Sequence, residues 1–175
     1  PKSSKKRIAI IGTGIAGSCV AYQLSKEHCD VDIFEHCSEI SDGASGNPLA
    51  ALYPKFNFLT TELNYINIFS FCYASRFYLS DQFKEAYFPS GVSFIDTNPN
   101  LRRWIEKVMQ MNRFDMFEFS KNSSDEFTNL KYSKLRVKNC GYVDPKKMNS
   151  KLLESDNITV FKNHSFIDYS KQRSK

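Results

Sequence analysis

The chain opens with a strongly apolar run, Arg7–Ile11 (RIAII), that ends on a glycine. Such a run, closed by a turn residue, predicts a strand buried on both faces of a parallel sheet. From Ile15 to Lys26 the apolar residues Ile15, Cys19, Val20 and Leu24 fall at helical spacing, which predicts an amphipathic helix. Val31–Glu35 (VDIFE) returns to strand pattern. Strand, helix and strand in that order make a βαβ unit, which requires a parallel pair and a right-handed crossover. Asp42–Asn47 (DGASGN) is a loop of small residues. A long helix is expected over Glu62–Tyr87, with Tyr65, Phe69, Tyr73, Phe77 and Phe83 spaced as core residues. Pro89-Ser90-Gly91 breaks it. A strand follows at Val92–Ile95, and then a helix from Pro99 to about Met111, capped by Asn98. Residues 115–129 are polar and acidic and are expected to be mostly loop. Asp144 caps a short helix over Lys146–Glu154, and strands are expected at Ile158–Phe161 and Phe166–Tyr169. Strands alternating with helices predict an α/β fold with a parallel sheet. No internal repeat and no low-complexity tract interrupts the pattern.

Composition changes little in this picture. The 175 residues are 41% hydrophobic and 25% charged, ordinary globular usage that excludes wholesale disorder. No stretch approaches the roughly 18 apolar residues of a membrane helix, and charged residues rather than a signal-peptide pattern lead into the first strand. The chain starts at Pro1, which suggests a processed piece or a fragment of a longer protein.

The net charge of +5 sits mostly at the ends, in Lys2, Lys5, Lys6 and Arg7 and in Lys171, Arg173 and Lys175. The body between is near neutral, so total charge makes no case for nucleic acid. One interior segment differs: Lys131, Lys134, Arg136, Lys138, Lys146, Lys147 and Lys151 face only Asp144. It reads as a solvated face or, alternatively, as a phosphate-contacting surface for RNA. The five cysteines and three histidines show no metal-ligand spacing, so no metal site is expected. Scattered thiols in odd number read as reduced cysteines of a cytoplasmic protein. Cys37 is expected to be a packed or partly exposed thiol near a turn.

The chemistry lies in Gly12-Thr13-Gly14-Ile15-Ala16-Gly17, a G-x-G-x-x-G placed directly after a strand and opening a helix. Gly12 makes the tight turn, Gly14 lets backbone amides approach a pyrophosphate, and Gly17 permits close helix–strand packing. The helix N-terminus then faces the anion with its partial positive charge. Glu35 ends the next strand, where a carboxylate can accept hydrogen bonds from an adenosine ribose and repels a 2′-phosphate. This context points to an ADP-containing dinucleotide without separating FAD from NAD.

The stretch Ala44-Ser45-Gly46-Asn47-Pro48-Leu49-Ala50-Ala51-Leu52-Tyr53-Pro54 resembles the second cofactor loop of the FAD-dependent D-amino-acid oxidase and glycine oxidase superfamily. Within it, A-S-G-N followed by A-L-Y-P is most similar to the oxidase domain of the bifunctional tRNA 5-methylaminomethyl-2-thiouridine biosynthesis enzymes. Gly141–Pro145 is similar to the family's turn entering a helix, and Gly91–Phe94 to its substrate-domain strand.

The resemblance implies a Rossmann-like FAD-binding domain over residues 1–88 and 139–175, and part of a smaller α+β substrate domain over 89–138. It implies FAD contacts from Gly12, Gly14, Ile15, Ala16 and Gly17 at the pyrophosphate and from Glu35 and His36 at the adenosine. Ala44, Ser45, Leu49, Ala50 and Ala51 would lie toward the phosphate–flavin side, and Phe166 near adenine. Two positions depart from the family. Thr13 replaces a common glycine, tolerable if its φ is negative, and Ala50 replaces another.

Family members oxidise an amine carbon by passing hydride to flavin, which oxygen reoxidises. In the tRNA-modifying branch the substrate is a carboxymethylaminomethyl group on a wobble uridine. Its oxidation and hydrolysis would release glyoxylate and leave the aminomethyl form, and a methyltransferase domain can be fused alongside. The alternatives are a glycine- or sarcosine-type oxidase of a free amine and a non-catalytic dinucleotide-binding module, whose exposed apolar surface would call for a partner. An NAD dehydrogenase leaves the 44–54 loop unexplained. No catalytic residue is assigned. Tyr53 is as readily a packing residue, and Arg76, Arg102, Arg103 and Arg113 read as surface or ion-pair residues rather than as a substrate clamp.

Overall fold

The structure is a computed structural model that describes residues 5–55, 62–111, 117–124 and 131–170. In chain order its elements are β1 (Arg7–Ile11), α1 (Ile15–Lys26), β2 (Asp30–Phe34), β3 (Ala50–Leu52), α2 (Glu62–Tyr78), β4 (Tyr87–Phe88), β5 (Val92–Ile95), α3 (Pro99–Met111), β6 (Phe117–Ser124), β7 (Lys131–Val137), β8 (Gly141–Val143), α4 (Pro145–Leu153) and β9 (Ile158–Phe161). Two compact units divide them, residues 1–50 with 144–175, and residues 51–143. Compactness thus divides the chain at 50/51 and 143/144, while the family resemblance divides it at 88/89 and 138/139. The buried Phe71 of α2 packs with Val137 and Cys140, which groups this helix with the second unit.

The first unit is an α/β layer. β1, β2 and β9 form a parallel sheet in the order β1-β2-β9. Ile11 aligns with Phe34 and Phe34 with Phe161, so the three strands finish along one edge. The central strand supplies Val31 and Ile33, which join Ala21 of α1 and Cys29 in a core flanked by Ile8, Ile10, Leu24, Leu153 and Ile158. Each such aliphatic side chain contributes about 1.5–3 kcal/mol when fully buried. The expectation that β1 is buried on both faces is corrected. Among the described residues it has β2 as its one neighbour, and Ile11 is 56% exposed. α4 begins as expected: Asp144 accepts the Lys147 N–H (3.1 Å), Pro145 opens the helix, and Met148 and Leu152 point into the core.

The second unit carries two small sheets, β3-β8-β4 and β5-β7-β6. In the latter both pairings are antiparallel, with Phe94 opposite Leu135. α3 packs Trp104 and Ile105 against Leu135, and Asn98 Oδ1 caps it by accepting the Leu101 N–H (2.9 Å).

Several sequence expectations are corrected. The aromatic helix ends at Tyr78 rather than Tyr87, because Ser80 turns extended and its Oγ donates to the Phe77 carbonyl (2.8 Å). That break lets Phe83, Ala86 and Tyr87 reach the core. On α2 the buried face is Phe71, Ser75 and Tyr78, while Tyr65, Phe69 and Tyr73 are exposed rather than core. Much of the expected loop at 115–129 is β6, paired with β7 through an irregularity between Ser120 and Ser123; residues 115, 116 and 125–129 lie outside the described residues. Phe166–Tyr169 is not a strand: Ile167 is 92% exposed, and the Tyr169 N–H donates to Asp168 Oδ1 instead of to a neighbouring strand.

Candidate functional site

β1 ends at Gly12, whose φ of +91° turns the chain sharply while its N–H still donates to the Phe34 carbonyl (2.8 Å). Glycine reaches that region without steric penalty. Gly14 takes the N-cap of α1 in an extended conformation, and Ile15 and Ala16 are the first helical residues. Gly17 lies against the turn itself: a Cβ there would sit 2.1 Å from the Gly12 carbonyl oxygen. The helix therefore starts as close to the strand end as backbone allows. Its first turn contains no acidic side chain, so the positive end of the dipole is available to an external anion.

Ala44, Ser45 and Gly46 form a short 3-10 turn beside this helix start. Ser45 Oγ accepts the Ile15 N–H at 3.1 Å, where an anion oxygen would also be received, and its own proton can be given to a phosphate. Ser45→Ala is expected to weaken binding of the FAD that the resemblance implies by about three- to tenfold, the worth of one modest hydrogen bond. Titration of flavin fluorescence would measure it, and an unchanged Kd would remove Ser45 from the site.

Glu35 follows β2 and is 4% exposed. Its Oε2 accepts both the N–H of Thr13 (2.9 Å) and the Thr13 hydroxyl. Its Oε1 accepts the Cys37 N–H (3.1 Å) and lies 2.9 Å from His36 Nδ1. Burial alone would raise the pKa of this carboxyl. The bonds from Thr13 and Cys37, with His36 nearby, outweigh burial and hold it at about 2. Glu35 is thus an anionic acceptor at neutral pH, with the exposed His36 ring beside its Oε1.

Three further residues complete the floor of the site. Thr13, Ser41 and Asn149 are buried and joined by hydrogen bonds from Ser41 N to Thr13 Oγ1 (3.0 Å) and from Asn149 Nδ2 to Ser41 Oγ (2.6 Å). Ser41 and Asn149 are not among the residues expected at the site, and Thr13 is expected there only as a departure from glycine. The signals were a hydroxyl inside the glycine motif, with the required negative φ, and a lone amide between the core residues Met148 and Leu152.

The structure thus brings Gly12, Gly14, Ile15, Ala16, Gly17, Glu35, His36, Ala44 and Ser45 to one edge of the sheet. Leu49, Ala50 and Ala51 are exposed, the last two in β3, and Ala51 opens the second unit. Phe166 is 54% exposed beyond β9. His164 also lies beside Glu35: its N–H donates to the Glu35 carbonyl (2.8 Å) and its ring packs on Phe34 and Phe161.

Glu35, His36 and Cys37 present ligand atoms within 4.8 Å of one another. However, the Glu35 oxygens are already committed to protein donors, and burial, with a hydrogen bond to Asp42, pushes the Cys37 thiol up.

The basic segment does not stand bare. Arg136 and Lys138 lie 3.9 and 3.0 Å from Glu118, Lys147 lies 3.5 Å from Asp144, and Lys151 lies 3.2 Å from Glu154. Arg102 pairs with the buried Asp96 at 3.2 Å, as expected of an ion-pair residue. Arg113, Lys2, Lys171, Arg173 and Lys175 lie outside the described residues. No helix among the described residues is long and apolar enough to cross a membrane.

A glycine turn between a parallel strand and a helix, faced by a buried acid on the next strand, defines a Rossmann-type dinucleotide-binding fold. The comparisons specify the class further. The chain matches the family of FAD dependent oxidoreductases (DAO) over residues 7–172 and belongs to it; the cofactor is FAD. The tRNA 5-methylaminomethyl-2-thiouridine biosynthesis bifunctional protein MnmC of Pseudoalteromonas atlantica is 31% identical over 161 residues, 87% of this chain and 23% of that protein. Its counterpart in Campylobacter jejuni is 30% identical over 170 residues, 94% of this chain and 24% of that protein. The chain therefore spans about a quarter of the length of these curated relatives. Among solved structures, glycine oxidase from Bacillus cereus superposes with a TM-score of 0.69 at 19% identity, covering 96% of this chain and 50% of that one. Fructosamine oxidase from Aspergillus fumigatus gives 0.67 at 10% identity, covering 93% and 41%. At these identities the likeness is one of fold.

Proposed function

We propose that this chain supplies the ADP-binding part of an FAD-dependent oxidase acting on the CH–NH bond of a small, glycine-like amine. The observation that carries the reading is the Gly12–Gly17 turn set against Glu35 and Ser45 in a chain of this family. In it Gly12, Gly14, Ile15, Ala16 and Gly17 receive the pyrophosphate, and Glu35 and His36 the adenosine. Ala44, Ser45, Leu49, Ala50 and Ala51 line the phosphate–flavin side, and the backbone at Phe166 approaches adenine. Residues 1–88 and 139–175 are the cofactor domain, and 89–138 belong to the substrate domain. When bound, FAD supplies the hydride acceptor. The residues of this chain bind and orient it, and water hydrolyses the resulting imine. Five free cysteines favour the reducing cytoplasm.

A second reading takes the amine as a carboxymethylaminomethyl group on tRNA wobble uridine, beside a fused methyltransferase domain. The names of the curated relatives favour it. The paired state of Arg136, Lys138, Lys147 and Lys151 favours the free amine, since cations already matched by acids release fewer counterions on binding phosphate.

The test is anaerobic bleaching of visible absorbance in the FAD-loaded oxidase of which this chain is the ADP-binding part. Sarcosine and glycine form one arm, and tRNA carrying the carboxymethylaminomethyl group forms the other. Bleaching by the free amines is expected. Bleaching by tRNA alone would transfer the assignment to the second reading, and bleaching by neither would overturn amine oxidation.

A further inference from the structure

We propose that Asn149 is a positioning residue for the cofactor pyrophosphate, aiming the Gly14 N–H outward by holding the Thr13 carbonyl inward; this rests on the ADP-binding reading above. The Thr13 carbonyl oxygen, wholly buried, receives three donors: Ser18 Oγ (3.1 Å), Ser41 Oγ (3.2 Å) and Asn149 Nδ2 (3.2 Å). No peptide bond among the described residues is cis. In a planar trans peptide the carbonyl of one residue and the N–H of the next point in opposite directions. A Thr13 carbonyl tied into the core therefore directs the Gly14 N–H away from it, at the N-cap of α1 where an anion would bind.

Asn149 also reaches the second loop. Its Nδ2 donates to Ser41 Oγ at 2.6 Å, and Ser41 has a φ of +61°, a left-handed conformation that a non-glycine residue holds only under restraint. The restraint comes from Asn149 and from the Ser41 N–H bond to Thr13 Oγ1. One carboxamide, reaching 136 residues back along the chain to Thr13, thus fixes both the glycine amides and the loop that carries Ser45.

Asn149 contributes geometry rather than stability. Its Oδ1 is buried with no hydrogen-bond partner among the described residues, a desolvation penalty that an apolar side chain would avoid. The amide cannot simply be turned over, because Oδ1 would then meet the Thr13 carbonyl oxygen. Replacement by leucine removes the unpartnered acceptor and frees Ser41 Oγ, so that Ser18 keeps the Thr13 carbonyl satisfied while the ties that fix its direction from Asn149 and Ser41 are lost or loosened.

Binding of ADP and of adenosine by calorimetry, with thermal melts, tests the proposal on wild type, Asn149→Leu and Asn149→Ser. For Asn149→Leu the expected result is a Tm close to that of wild type, ADP affinity reduced at least about tenfold, and adenosine affinity changed less than about twofold. Asn149→Ser is expected to show the same split between ligands, and it carries the test if the leucine does not fit. Equal losses for ADP and adenosine would mark a merely structural role and overturn the proposal, as would ADP affinity within about twofold of wild type in the folded variants. A wild-type protein that bound neither ligand would overturn the ADP-binding reading itself, and the positioning role with it.

Discussion

Gly17→Ala is expected to abolish retention of FAD through desalting and to weaken ADP binding by roughly 10- to 100-fold, the effect of about 1–3 kcal/mol of overpacking. The added Cβ would lie 2.1 Å from the Gly12 carbonyl oxygen and 3.2 Å from its carbonyl carbon. Both are backbone atoms, so no side-chain rotamer relieves the contact. The turn must open or α1 must slide outward along its axis. Either movement separates the helix N-terminus from Ser45, which accepts the Ile15 N–H at 3.1 Å. The same strain should lower the thermal midpoint. Flavin absorbance after desalting, read beside a melting curve, checks both effects, and full flavin retention by the variant would contradict the close packing of α1 on the turn.

Glu35→Gln is the second large effect, and it has a pH signature. The carboxylate accepts two donors from Thr13 and one from Cys37 in a buried position. The glutamine amide turns a donor toward some of these groups, so a loss of about 2–3 kcal/mol of folding stability at neutral pH is expected. In wild type the Glu35 pKa is lowered from 4.5 to about 2. The unfolded chain therefore takes up this proton before the folded one does. The stabilisation is complete well above pH 4.5, shrinks as the pH falls toward 2, and is gone below both values. A shift of this size corresponds to about 3 kcal/mol. Urea unfolding of wild type and variant between pH 7 and pH 3 should show the gap closing as acid is added. A gap independent of pH would mean that Glu35 titrates like an exposed carboxyl. The variant should also lose affinity for adenosine, the ligand portion assigned to this acid.

The first βαβ unit was legible because its signals are local. The apolar run at Arg7–Ile11, the helical spacing from Ile15 to Leu24 and the glycines at 12, 14 and 17 each dictate backbone geometry within a few residues. The caps at Asn98 and Asp144 were readable for the same reason. β6 was not, since Ser-Lys-Asn-Ser-Ser has weak strand preference and becomes a strand through its pairing with β7. Nor does periodicity say which face of an aromatic helix finds a partner. On α2 Phe71 and Tyr78 are buried, while Phe69 and Tyr73 line a groove of about 500 Å³ with Arg76 and Phe77. At the site, the family resemblance named the residues that would face the cofactor and missed those beneath them. Thr13 stood out only as a departure from glycine, yet its hydroxyl donates to Glu35, and Asn149 enters from a helix far along the chain.

The first unit joins residues 1–50 and 144–175, which the contiguous segment 51–143 separates in sequence. During synthesis on the ribosome β1, α1 and β2 emerge before α4 and β9, and the centre of their sheet waits for β9 to pair with Val31–Phe34. At about 5–20 residues per second, roughly ten seconds separate the Thr13 peptide from the Asn149 that braces it. Over that interval β2 offers an open edge to any neighbouring nascent chain, while residues 51–143 can fold from contiguous sequence. The cofactor turn is made well before the residues that complete it, so slow elongation or crowded polysomes should reduce the yield of flavin-competent protein before they change the stability of the finished molecule.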